Sequence, residues 1–249
     1  AVPMDIRPSP KISNNAQKNS EWNNAKQKTI LFGSELAERF SSGNVSLEFE
    51  KGMAAFFSHG AKKRYVGKVI FPKEETIVRG YEPRRTDGFQ LQSKTLIQLF
   101  DLLLDDDEKK AINLAKTVIK SLLNRSINAS ELIISRRCKG SMNKDGSIDF
   151  GRDYVNPDGL PHVQTAKKRI EKGLTFTPGM KVAWIVTDAS ATPMTVEPYL
   201  VEEIDIAPPE PDYMFYARRL SKALGRVTEA FGWSAEDLIA GTRQTNLFS

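Results

Sequence analysis

The chain of 249 residues has one cysteine, Cys138, and two histidines, His59 and His162. A single thiol excludes a disulfide within the chain and suits a reducing compartment. The same scarcity leaves too few soft ligands for a His/Cys zinc centre. It also leaves no Ser/His/Asp arrangement, because the histidines stand alone. No apolar run reaches the roughly 18 residues that a membrane span needs. The N-terminus has no apolar core of the kind that marks a signal peptide. Neither a Walker-type phosphate loop nor a repeat of solenoid period is present.

What the chain does have is positive charge in one place. Its formal net charge is +5, and its pI is near 9.2. Between Lys62 and Arg85 stand eight Lys or Arg residues against Glu74, Glu75 and Glu82, a net +5 in that stretch alone. The rest of the chain therefore sums to zero. Tyr65 and Tyr81 lie inside the block. Charge this concentrated, mixed with aromatic rings and guanidinium forks, suits a polyanion better than a solvated face. Two smaller clusters follow, Arg136-Arg137 with Lys139, and Lys167-Lys168-Arg169 with Lys172. Together they could line a track along a duplex.

The pattern predicts an α+β chain. Residues 1–29 are polar, carry three prolines, and are expected to be a flexible arm. A helix is expected from Ile30 to Phe40, then a half-buried strand over Val45–Glu50. The runs Tyr65–Phe71 and Thr76–Gly80 predict a hairpin closed over Pro72–Glu75. From Leu91 the spacing turns helical. A second helix is expected beyond the acidic turn Asp105-Asp106-Asp107, a third short element at Ser130, and a fourth helix over Leu160–Lys172 ended by Gly173. Met180–Thr187 predicts a strand, with another in 193–206. Asp212 is expected to cap a long helix to Phe231, and Ser234 a short last one.

Two chemistries are weighed and set aside. Asn143–Phe150 carries part of a calcium-loop pattern, but Ser141 and Arg152 occupy positions that need acids, so an Asp-Gly turn is expected. Two-metal phosphoryl transfer needs two carboxylates converging on ions about 3.5–4 Å apart. Asp105–Asp107 sits at a helix start, where the dipole explains it, and Asp188 is single. His162, after Pro161, is expected to pack or to touch backbone.

At this point the residues resemble a family. Glu48-Phe49-Glu50-Lys51 followed by Lys62-Lys63-Arg64-Tyr65 looks like the palm segment of family B DNA polymerases. Arg79-Gly80-Tyr81-Glu82-Pro83-Arg84-Arg85-Thr86-Asp87 is similar to the palm-to-thumb junction of the archaeal members. Ile134-Ser135-Arg136, Leu160–Lys168, Pro178–Val182 and Phe231-Gly232-Trp233 resemble their thumb. The likeness runs over about residues 30–249 in the family's order.

The resemblance implies a small antiparallel palm remainder over 30–88, a mostly helical thumb over 89–240, and a tail over 241–249. It implies that Lys62, Lys63, Arg64 and Tyr65 hold the template–primer duplex near the active site. Arg79, Tyr81, Arg84 and Arg85 would hold the primer side. Arg136, Arg137, His162, Lys167 and Lys168 would face the product duplex. The family's paired catalytic aspartates lie upstream of this region, and Asp5 is alone. The chain therefore looks like the smaller, C-terminal subunit of a polymerase split into two polypeptides. A large subunit would bring the exonuclease, the fingers and the aspartates that hold Mg²⁺, and the complex would work on DNA in the cytoplasm at the nucleoid. Gln244, Leu247 and Phe248 resemble the start of a sliding-clamp motif, which implies the clamp as a further partner; a plain polar tail is the rival reading. From a different class, the chain is alternatively a non-catalytic duplex-binding protein derived from a polymerase.

Overall fold

The structure is a computed structural model that describes residues 15–81, 88–200 and 207–243. Arg84, Arg85, Gln244, Leu247 and Phe248 lie outside the described residues. The chain divides into two units, Ala1–Tyr81 with Leu103–Asp106, and Glu82–Leu102 with Asp107–Ser249.

In the first unit, helix α1 spans Asn15–Phe40. It starts well before the expected Ile30, and residues 15–29 are helix rather than free arm. The reason is local. After Pro10 no proline or glycine interrupts the chain until Gly33, and Ala, Gln, Lys and Glu propagate a helix without an apolar stripe. The absence of that stripe hid the helix from a periodicity argument.

Strands β1 (Gly52–Phe57), β2 (Tyr65–Phe71) and β3 (Glu75–Arg79) form an antiparallel sheet with β2 central. The expected strand over Val45–Glu50 does not form. A ladder needs a neighbour, and among the described residues this segment has only the isolated Ser42–Val45 bridge. Its Phe49 instead stacks on Phe71, with centroids 5.3 Å apart, in space that a side chain at Gly33 would occupy. The core is small: Val66, Val69, Ile70, Ile77 and Tyr81 are buried.

The second unit holds α2 (Gln90–Leu104, nearly all of it in this unit), α3 (Glu108–Leu123), β4 (Ile134–Arg137), β5 (Ser141–Met142), β6 (Ile148–Asp149), α4 (Pro161–Glu171), β7 (Lys181–Asp188), β8 (Thr195–Pro198), α5 (Tyr213–Thr228) and α6 (Ala235–Ala240). Strands β4, β7 and β8 make a sheet with β7 in the middle, and α4 packs on it. Helices α3, α5 and α6 pack together. Strand β4 continues past the short element expected at Ser130, because four residues carry too little alternation to show a strand. The Asp145-Gly146 turn joins β5 to β6, as the turn reading has it.

Helix starts follow their caps. The Asp107 carboxylate accepts from Lys110 N at 3.1 Å, and that of Asp212 from Phe215 N at 3.0 Å. Ser234 and Asp237 form a reciprocal capping box. Tyr216 is wholly buried, and its hydroxyl accepts from Val186 N at 2.9 Å. Its ring meets Phe89 edge-on at 5.1 Å. This pins the helical layer to β7.

Candidate nucleic-acid interface

Hairpin register turns a run of charge into a cluster. Tyr65 pairs with Arg79 across β2 and β3. The two ends of the basic block, about fifteen residues apart in sequence, therefore share one end of the hairpin. Lys62 and Lys63 lie in the turn that enters β2, closed by Arg64 N donating to Ala61 O at 3.3 Å. Ser58 Oγ donates to Arg64 O at 2.9 Å and braces the same loop.

Gly80 makes the convergence possible. Its φ is +69°, and a Cβ there would stand 2.5 Å from Lys63 O and 2.8 Å from Arg64 Cγ. Only a residue without a side chain lets the two backbones meet so closely. Lys63 itself has a φ of 64°, a left-handed conformation that costs a non-glycine residue of order 1 kcal/mol or more and is frequent at functional turns.

Lys62, Lys63 and Arg79 are exposed and Arg64 is half-buried. Among the described residues none of these four is in an ion pair. Tyr65 stacks on the exposed Phe56, centroids 5.5 Å apart. Tyr81 is 9% exposed. Burial pushes its phenol up, against the opposing pull of the His59 backbone and the Arg64 charge. It therefore supports the loop from beneath rather than facing out. The other end of the block is a different environment. Lys68 pairs with Asp105 at 3.3 Å, and Glu74 with Lys26 at 2.8 Å.

In the second unit the expected residues are more committed. Lys167 Nζ lies 2.5 Å from Asp158, and Lys168 Nζ lies 2.5 Å from Glu197 and 2.9 Å from Val196 O. His162 is only 4% exposed. Its ring meets Tyr154 edge-on at 5.2 Å and lies 6.5 Å from Trp184. It supports packing, as its place after Pro161 suggests, and offers little surface to solvent. Burial first, and then Arg136, holds its pKa below the ordinary 6.5. Arg136 and Arg137 are exposed on β4, and as strand neighbours they point to opposite faces. Arg137 donates to Gly179 O at 3.3 Å. Arg136 lines a cavity of about 160 Å³ with His162 and Trp184.

The carboxylates singled out in the sequence have structural work. Asp188 accepts from Ser190 N at 2.8 Å, Ser190 Oγ at 2.6 Å and Ala191 N at 3.3 Å. These bonds hold it below the usual carboxylate range. Asp145 likewise accepts from Ser147 N and Oγ. Among the described residues no group of three or more His, Cys, Asp or Glu could hold a metal ion. The described residues therefore offer Mg²⁺ no such donor cluster. The same described residues include no helix long and apolar enough to cross a membrane.

One basic surface escaped the sequence reading. Arg218, Lys222 and Arg226 lie on the exposed face of α5, beside a groove of about 730 Å³. The strong apolar periodicity of the same helix masks it in the sequence, although the four-residue spacing is legible.

A model of DNA polymerase family B matches residues 21–231. The DNA polymerase of Pyrococcus horikoshii is 24% identical over 223 residues, covering 88% of this chain and 16% of the relative. That of Thermococcus aggregans is 27% identical over 202 residues, covering 79% and 10%. DNA polymerase 2 of Aeropyrum pernix is 25% identical over 206 residues, covering 81% and 23%. Among solved structures, the family B DNA polymerase from the hyperthermophilic archaeon Pyrobaculum calidifontis aligns with a TM-score of 0.54 at 17% identity, over 86% of this chain and 30% of that one. The chain thus spans less than a third of each of these proteins.

Proposed function

This chain belongs to DNA polymerase family B, and from that premise we propose that it is the smaller subunit of a two-chain DNA polymerase, holding primer–template duplex for a larger catalytic partner. The observation that carries this is the cluster of Lys62, Lys63, Arg64 and Arg79 at one hairpin end, with no acid paired to any of them among the described residues. Cations left without counter-charge suit phosphate contacts, which grip any sequence alike. The first unit is the palm remainder and the second the thumb. Arg84 and Arg85, outside the described residues, are assigned the primer side by the same reading, and Arg136 and Arg137 offer thumb contacts.

Nucleotidyl transfer needs carboxylates for Mg²⁺ that the described residues do not bring together, so the partner supplies them. This chain's part is to hold the primer end in place, and positioning alone accounts for a large share of a bimolecular barrier. The first unit also has surface for that partner to cover. Leu31, Phe40, Val45 and Phe56 are each 60% exposed or more, and Leu47 is 49% exposed. So much apolar surface around a small core marks an interaction face. A clamp contact through Gln244, Leu247 and Phe248 belongs to the same reading.

The test is primer extension by this chain, by the large chain and by their mixture. A gain in activity or processivity on mixing is expected. Vigorous templated synthesis by this chain alone would refute the division of labour. Duplex binding with no effect on the large chain would favour the non-catalytic reading.

A further inference from the structure

Helix α3 carries Lys109, Lys110, Lys116 and Lys120, and after Glu108 it has no acid as far as Leu123. Lys110 is answered by Asp107, 2.5 Å away. The other three are in no ion pair with any described residue. At about 100° per residue, steps of seven and of eleven bring them onto one line to within about 20°, in a row about 16 Å long. Lys109 and Lys120 are exposed and Lys116 is half-buried. A solvated helix face ordinarily mixes signs, because like charges four residues apart destabilise the helix. Here nothing in the described chain offsets that cost.

The row runs beside a groove of about 390 Å³ that Trp233 lines. Backbone contacts hold the indole in place. Trp233 N donates to Thr228 O at 3.1 Å, and Thr228 Oγ1 donates to Trp233 O at 2.7 Å. Lys116 Nζ stands 4.6 Å from the ring centroid and the Arg243 guanidinium 5.5 Å. Arg243 also donates to Phe231 O, which fixes its position. Glu108 is the one acid in the lining, and it sits in the first turn of α3, where the helix dipole favours it.

The cations over the ring discriminate among anionic partners. A nucleobase would bind by stacking on the aromatic face, and that face already carries an ammonium and a guanidinium group. A duplex backbone would use the cations and leave the indole idle. What stays open is a row of N–H donors beside a half-buried ring, which matches carboxylates carried on short apolar stems.

We infer that the α3 row and the Trp233 groove form a docking surface for an acidic segment of a protein partner. Its carboxylates meet Lys109, Lys116, Lys120 and Arg243, and its side-chain stems lie against Trp233. An extended segment advances about 3.3 Å per residue, so about five residues span the row, with acids at alternate positions all facing it. The surface goes beyond the duplex-holding reading and uses none of its residues.

The experiment titrates hexaglutamate into the unaltered chain, K109A/K116A and K62A/K63A, each with its thermal midpoint. Binding is followed by the indole N–H resonance of Trp233, assigned with Trp233→Phe. K109Q/K116Q, which keeps polar bulk, serves if the alanine variant does not fold. A saturable shift is expected in the unaltered chain and, at the same affinity, in K62A/K63A. Affinity should fall about tenfold in K109A/K116A, as the loss of two exposed ion pairs allows, with an unchanged midpoint. No shift in the unaltered chain, or equal affinity in K109A/K116A, overturns the inference. Equal weakening in K62A/K63A overturns it as well, because the peptide would then be responding to overall charge. Tighter binding of a single-stranded or duplex oligonucleotide of equal charge, read at the same resonance, would reassign the surface to nucleic acid.

Discussion

Lys62-Lys63 and Lys167-Lys168 are the same dipeptide in two units, and they end in opposite circumstances. The first pair stands in a turn, exposed, with no acid bound to it among the described residues. The second lies on α4, where Asp158 and Glu197 come within 2.5 Å of the two ammonium groups. A lysine pair in sequence is therefore not yet a phosphate site. What decides is whether the fold brings a carboxylate to it first. The units also differ in how they are held. The second buries Leu96, Leu99, Ile119, Leu132, Tyr216, Leu220 and Leu224 almost completely, while the first leaves several large apolar side chains in solvent.

The contrast in cores yields the largest expected effect. Leu220→Ala should cost about 2–5 kcal/mol, as buried leucine truncations do, and amide exchange should show the loss in the second unit. A cost below about 1 kcal/mol would mean that this unit is not held by its core. Next is Gly80→Ala, which forces a Cβ onto Lys63 O and a side chain into positive φ. Urea denaturation should show a loss of about 1–3 kcal/mol in the first unit, and duplex binding should weaken with it. Unchanged stability would remove Gly80 as the residue that joins the two ends of the basic block.

The charge contrast is tested by paired variants. K62A/K63A should lower the salt slope of duplex binding by about two units, at about 0.9 per phosphate contact, whereas K167A/K168A should change it by less than about one. Equal changes would erase the distinction drawn between the pairs. A smaller effect concerns pH. His162 is held neutral in the folded state, and the unfolded chain takes up its proton as pH falls through about 6.5. Stability should therefore be lost as pH drops from 6.5 toward the lower folded value, because the unfolded state binds the additional proton. His162→Gln should flatten that part of the profile in thermal melts, and an unaltered profile would discount the residue. Smallest is the thiol. Burial pushes Cys138 up to about 11, so an alkylating reagent near neutral pH should label it only after unfolding.

Much was legible in advance where the signal is local. The caps at Asp212 and Ser234 and the acidic turn before α3 follow from residue type and spacing, and the structure has the helices start there. The β2–β3 hairpin followed from alternation on either side of a proline-containing turn. The misses have physical causes of their own. Helix α1 has no apolar stripe, so nothing marked residues 15–29. The Val45–Glu50 alternation was strand-like, but pairing depends on a neighbour that alternation does not reveal. The α5 stripe is written in the spacing of Arg218, Lys222 and Arg226, but the clear buried face of the same helix is the stronger signal.

By itself, then, the sequence determined that this chain carries its excess charge in one block, and which segments could turn, cap and alternate, because these depend on residues a few positions apart. It determined the family resemblance as well, since motif order is a property of the chain. Only the tertiary structure decided which cations remain available. Tyr65–Arg79 pairing and the bare backbone of Gly80 bring Lys62, Lys63, Arg64 and Arg79 to one end of a hairpin, while Asp158 and Glu197 reach Lys167 and Lys168 and the core takes in His162. Ion pairing and burial act between residues that are neighbours in space, and no local pattern encodes who those neighbours are.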